Sequence, residues 1–217
     1  MHHFEYVPKS EWKPVRDELL LIIHQLQNKV RDYFTFQYHF VGSSKRNMIT
    51  RDSTSNLGFD FDVDIEVNDP DEDYSAKEIR NILRDSLNKI TNSNGYPTFK
   101  YDYTEDSTRV LTMKVKDKRN SCILHSCDFC IVYNTADNRQ QYIRYNKKQN
   151  YYSWEYQPEG FSSLPEKIDF CKRNKLWIEV RDLYIDKKNR NIDNNKKSRS
   201  IFAETIQQVC QQNGYYN

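Results

Sequence analysis

In the segment GFDFDVDIEV, residues 58–67, acids fall at every second position: Asp60, Asp62, Asp64 and Glu66. Phe61, Val63, Ile65 and Val67 fill the positions between them. Successive side chains of a strand point to opposite faces, so this pattern is a strand with one buried face and one carboxylate face. Like charges in such a row repel unless solvent or a cation intervenes. Neighbours on one face sit about 6–7 Å apart, a spacing at which two carboxylates can bridge oxygen-seeking divalent ions. Mg²⁺ takes one or two carboxylates and completes its shell with water and substrate phosphates. The plainer alternative is a solvent-facing acidic edge that deters aggregation.

Two other segments weigh against that alternative. In SCDFCIV, residues 126–132, Asp128 is a lone acid in an apolar strand. Ile123, His125, Cys127, Phe129 and Ile131 share one face, and Ser126, Asp128 and Cys130 share the other. A buried carboxylate without a partner charge is costly. A metal held by the acidic strand would supply that charge, as would a salt bridge to Arg or Lys. Upstream, TFQYHFV runs into Gly42-Ser43-Ser44. A strand, a glycine turn and a short helical segment present backbone N–H groups and hydroxyls suited to phosphate.

Rival chemistries find little support. The sulfurs of Cys127 and Cys130 point to opposite faces of an extended strand, and no second Cys pair follows, which defeats zinc chelation. Neither a P-loop nor a GxGxxG run occurs, and no nucleophile elbow is present. The histidines are scattered along the chain.

The elements that must position these residues are readable from periodicity. Val15, Leu19, Ile22, Ile23, Leu26 and Val30 give a helix from about Ser10 to Phe34. Ser75 is a candidate N-cap for a helix to about Ile90. TFKYDY and TRVLTMKVK read as a hairpin joined through TEDS, followed by the strand SCILHSCDFCIVY. Beyond Asn134 aromatic and polar residues mix without a clear period. Pro165–Trp177, Glu179–Lys188 and about Ser200–Gln211 read as helices, the last packing through Ile201, Phe202, Ile206 and Val209. The expected fold class is α+β: a mixed, twisted sheet of about five strands backed by helices, with a small C-terminal helical segment. The expected organisation is a core over 1–135 and a mostly helical substrate-binding region over 136–217, the two packing as separate domains or as one.

Charge is unevenly spread along the 217 residues. Nine acids against Lys77 alone lie between Asp60 and Glu78, whereas residues 139–199 carry 15 Lys and Arg against 8 Asp and Glu. An acidic pocket beside a basic half suits a metal with a polyphosphate or nucleic acid. No apolar run approaches the roughly 20 residues a bilayer span needs, so no membrane partner is expected. Five cysteines without a secretory signal fit a reducing compartment, and a cytoplasmic location is expected.

Taken in order, HFVGSS, DVDIEV and CDFCIV resemble the DNA polymerase β-like nucleotidyltransferase superfamily, over roughly residues 10–135. Its signature is a helix, a strand, a Gly-Ser turn, a strand carrying Asp-x-Asp and a third Asp on a later strand. The resemblance implies that Asp62, Asp64 and Asp128 hold two Mg²⁺ ions, with Mn²⁺ as a substitute. Asp128 would also help activate the acceptor hydroxyl. Gly42 and Ser43, with Ser44, would bind the β- and γ-phosphates of an NTP, ATP by default. In-line attack of the hydroxyl on the α-phosphate would release pyrophosphate. The acceptor is open: RNA, a nucleotide, a protein or a small molecule.

Asp60 and Asp62 form an equally spaced pair, and the apolar continuation of DVDIEV favours Asp62 and Asp64. Eighteen residues, 44–61, separate Ser43 from Asp62, a span with room in the cyclic-oligonucleotide and oligoadenylate synthases. Thr50 would correspond to their downstream Thr. Lys172 and Lys197 are candidate triphosphate contacts, Lys197 at a helix start capped by Ser198 or Ser200. The competing reading is a catalytically silent nucleotide- or partner-binding relative, for example in a toxin–antitoxin or phage-defence module.

Overall fold

The computed structural model describes residues 2–92, 97–158, 163–193 and 195–215. The turn read at NSNGYP lies largely outside them. The chain divides into two compact units, one of Val7–Ile49 and Asn56–Gln157, the other of Met1–Tyr6, Thr50–Ser55 and Pro158–Asn217.

The first unit is a sheet backed by two helices. Its elements are α1 (Lys9–Val30), β2 (Thr35–Val41), the one-turn α2 (Gly42–Lys45), β4 (Phe59–Asn68), α3 (Ala76–Thr91), β5 (Glu105–Asp106), β6 (Val110–Asp117), β7 (Cys122–Asn134), β8 (Gln140–Asn146) and β9 (Tyr151–Tyr156). The seven strands run β2-β4-β7-β6-β5, with β8 pairing β7 and then β9. Only β4 and β7 run parallel; β2–β4, β5–β6, β6–β7, β7–β8 and β8–β9 are antiparallel. The sheet is mixed, and the fold is α+β.

The period-2 pattern is realised in β4. Phe61, Val63 and Ile65 are fully buried, and they share one core with Phe129 and Ile131 of β7. Leu19, Ile22, Ile23 and Leu26 of α1 and Ile79, Leu83 and Leu87 of α3 close that core. Each buried aliphatic chain of this size contributes about 1.5–3 kcal/mol relative to exposure. Helix α3 starts on a capping box: Ser75 accepts from the Glu78 amide, and the Glu78 carboxylate accepts from the Ser75 amide. Arg80, fully buried, ties α3 to the sheet. It donates to Asp106 and to the carbonyls of Ser107, Val110 and Ile143 at 2.6–3.1 Å.

Two expectations differ from what is seen. TFKYDY is not a regular strand; only Tyr101 bridges Val115. The amides of Thr98 and Phe99 donate instead to the buried carboxylate of Glu18, and Glu105–Asp106 take the pairing with β6. The patternless stretch after Asn134 supplies β8 and β9, so the sheet has seven strands rather than about five.

The second unit holds β1 (Phe4–Tyr6), β3 (Thr50–Asp52), α4 (Leu164–Arg173), α5 (Trp177–Arg190) and α6 (Ser198–Gln212). β1 and β3 pair antiparallel. The Phe4 amide donates to Asn189 Oδ1 at 2.5 Å, and its carbonyl accepts from Asn189 Nδ2 at 3.1 Å. Val180, Tyr184, Ile201, Phe202, Ile206 and Val209 are buried, and the Cys171 and Cys210 sulfurs meet at 3.6 Å between α4 and α6. Lys197, not a serine, is the N-cap residue of α6, and no side chain caps it. Among the described residues no helix is long and apolar enough to cross a membrane.

Candidate active site

Three strand pairings assemble the acids. Antiparallel β2–β4 sets Val41 opposite Asp62. Parallel β4–β7 sets Asp62 opposite Asp128, Asp60 opposite Ser126 and Asp64 opposite Cys130. Antiparallel β6–β7 sets Thr112 opposite Asp128. A row Val41–Asp62–Asp128–Thr112 therefore crosses four strands, on the face turned away from α1 and α3.

Gly42 closes the row. Its φ is +60°, and a Cβ there would lie 2.4 Å from Asp62 Oδ2. Glycine is required twice over, for the left-handed backbone and for the space the carboxylate occupies. The chain then enters α2, where the Ser43 carbonyl accepts from the amides of Arg46 and Met48 at 3.2 and 2.9 Å. The Ser44 hydroxyl donates to the Val41 carbonyl at 2.8 Å and is spent on holding this turn.

Burial and mutual repulsion raise all three acids. Burial pushes Asp62 up to about 7, and Asp60, Asp128 and Asp64 push the same way, with Arg46 pulling against them. Asp128 is also raised, first by burial and then by Asp60; the Thr112 hydroxyl, donating to Oδ1 at 2.6 Å, works against this. Burial raises Asp64, opposed by His39 and Lys45. Cys130, on the same face, is pushed up to about 12 by burial and by Asp64.

Hard carboxylate oxygens in a row, the Asp62 group in the space that Gly42 leaves, are a donor set of the kind Mg²⁺ or Mn²⁺ takes rather than zinc. Among the described residues no three ligating side chains are drawn together tightly enough to make a finished metal cage. The charge neighbours of Asp62 and Asp128 include Asp60 at least as strongly as Asp64.

Gly42, Ser43, Ser44, Asp62, Asp64 and Asp128 thus belong to the first unit. Thr50, Lys172 and Lys197 belong to the second. There the Thr50 hydroxyl accepts from Lys188 Nζ at 2.8 Å, and Lys172 Nζ lies 5.7 Å from the Trp177 ring centre. Thr112, Lys45 and Arg46 were not singled out by sequence. Thr112 alternates with Lys114 and Lys116 in TRVLTMKVK, so a correct β6–β7 register would have pointed to it.

No protein-family model matches the sequence, and a search of curated proteins finds no significant match. Solved structures do match. The chain is similar to the Vibrio cholerae cyclic AMP-GMP synthase DncV in complex with nonhydrolyzable GTP, at 12% identity and TM-score 0.57, over 94% of this chain and 53% of that one. DncV in complex with the linear intermediate 5′-pppA(3′,5′)pG matches at 13% identity and TM-score 0.55, over 94% and 54%. CdnC of E. coli MS115-1 with ATP matches at 16% identity and TM-score 0.50, over 94% and 62%. The chain thus spans 53–62% of the length of these structures, and the likeness is one of fold.

Proposed function

We propose that this chain is a divalent-metal-dependent nucleotidyltransferase that moves the NMP of an NTP, ATP or GTP, onto a hydroxyl acceptor and releases pyrophosphate. The observation that carries this reading is the direct register of Asp62 with Asp128, beside a glycine whose missing Cβ leaves room for the Asp62 carboxylate.

Asp62, Asp128 and one of Asp60 or Asp64 would hold Mg²⁺ or Mn²⁺. When bound, such ions neutralise charge on the transferring phosphoryl group and on both the attacking and the leaving oxygen. The chain's own contribution is positioning. Thr112 fixes Asp128 through Oδ1, which leaves Oδ2 to take up or orient the acceptor hydroxyl's proton. Gly42 and the first turn of α2 bring backbone amides and the Ser43 hydroxyl toward the β- and γ-phosphates. Carboxylates that repel one another are relieved by a divalent cation placed between them.

Transfer of label from [α-³²P]ATP or GTP, with pyrophosphate release, tests the reading in the full chain with Mg²⁺ or Mn²⁺. Asp62→Asn and Asp128→Asn should each abolish it while the fold is kept. Retained transfer in Asp128→Asn would remove that residue from the chemistry. Comparing Asp60→Asn with Asp64→Asn identifies the third carboxylate. The second reading is a catalytically silent nucleotide-binding relative of the same fold. That reading predicts Mg²⁺-dependent binding of a non-hydrolysable ATP analogue without turnover.

A further inference from the structure

On the opposite face of the same sheet, at the start of α3, a cavity of about 300 Å³ is walled by Tyr74, Tyr133 and Trp154, with Asp69 and Glu72 at its rim and Gln141 beside them. Tyr133 continues the alternation of Phe129 and Ile131 in β7, and Trp154 pairs with the buried Ile143. The cavity therefore lies on the helix-backed side, away from Asp62 and Asp128, and it is independent of the transfer reaction.

We infer that this cavity binds a small methylated ammonium cation. The rings supply the first argument. Tyr133 and Trp154 meet at 58° with centres 6.2 Å apart, forming a corner rather than a stack. Tyr74 is held in place edge-on by Tyr33 and Phe34, at 6.1 and 5.9 Å. Aromatic faces that converge on one space attract a cation with an apolar surface through their quadrupoles.

The charges supply the second. Asp69 is fixed at the rim by accepting the amides of Asp73 and Tyr74 at 3.3 and 3.1 Å. Glu72 is held there in a left-handed conformation, φ 54°. A helix N-terminus ordinarily favours anions, but here the first-turn Glu78 amide and the Ser75 amide are occupied by the capping box. A phosphate-bearing or carboxylate ligand would face the like charges of Asp69 and Glu72. A bare metal ion would waste the rings, and a neutral apolar molecule would waste the acids. A quaternary or trimethylated ammonium uses both.

The probe is choline, compared with 3,3-dimethylbutan-1-ol, its uncharged carbon isostere, on the full chain at constant ionic strength. The readout is the indole N–H resonance of Trp154, with Trp12 and Trp177 as internal references. Choline should shift the Trp154 resonance saturably and bind at least roughly tenfold more tightly than the isostere, the scale expected when rings and a carboxylate act on a desolvated cation. Glu72→Gln should weaken choline several-fold and leave the isostere unchanged. Equal binding of the two probes would make this an apolar pocket without cation preference and overturn the inference. No Trp154 shift up to about 50 mM choline, weaker than any useful cation–aromatic site, would overturn it as well.

Discussion

Replacing Gly42 by alanine separates the cost of folding from the cost of function. The left-handed backbone at φ +60° costs a Cβ-bearing residue about 1–2 kcal/mol. The added Cβ would lie 2.4 Å from Asp62 Oδ2, where ordinary contact starts at 3.4 Å, so something must give by about 1 Å. The atom it meets is the end of a side chain, so the Asp62 carboxylate swings aside and the backbone stays. Urea unfolding should therefore show a loss of only about 1–2 kcal/mol. Nucleotidyl transfer should fall about 10²-fold or more, because a 1 Å misplacement of a positioning group costs that much. Initial rates at saturating NTP and metal, set beside the unfolding curves, check both numbers. Transfer within about threefold of wild type would show that the Asp62 position is not what glycine protects. A stability loss above about 4 kcal/mol, well beyond left-handed strain, would show that the backbone moved instead.

Three further outcomes are expected. Asp62 has a folded pKa near 7 against an ordinary 3.8, so in metal-free protein its contribution to native stability falls as pH rises from about 4 to 7. Asp62→Asn removes that loss, and chelator-treated variant at pH 8 should unfold at higher urea than wild type, by at most about 4 kcal/mol. His125 is lowered to about 4 by burial, in contact with Phe59, Phe99 and Tyr101. The unfolded chain then binds a proton between pH 6.5 and 4 that the native one refuses, so stability should drop by up to about 3 kcal/mol on acidification across that window; His125→Phe should flatten the slope. Arg80→Met should cost about 3–5 kcal/mol by removing the buried cation nearest Asp106 and the donors to the Ser107 and Ile143 carbonyls, read as the shift of the thermal or urea midpoint.

The carboxylate strand was legible because its alternation is strict and the buried set, Phe61, Val63 and Ile65, is wholly apolar. Asp128 was legible for the complementary reason, a charge amid an apolar run. Helix α3 announced itself through Ser75 and a clean apolar stripe. The hairpin β8–β9 did not, because Tyr142 and Ile143 are both buried although they are neighbours, which erases the period-2 signal. TFKYDY misled in the opposite sense: its alternation is that of a strand, yet Glu18, 80 residues away in sequence, captures its amides. Thr112 needed the β6–β7 register, a long-range fact that no local pattern contains.

The bond between Phe4 and Asn189, 185 residues apart, has a consequence for the time at which each unit can exist. A ribosome adds about 5–20 residues per second, so β1 is made roughly 10–40 s before Asn189. Through that interval the sheet carrying Asp62 and Asp128 can close as soon as Gln157 has emerged, while residues 4–6 wait with an open strand edge, a template for pairing with other chains. The acids are then in place before the second unit is assembled. In pulsed hydrogen exchange during refolding, the Phe4 amide should gain protection after the amides of β4 and β7.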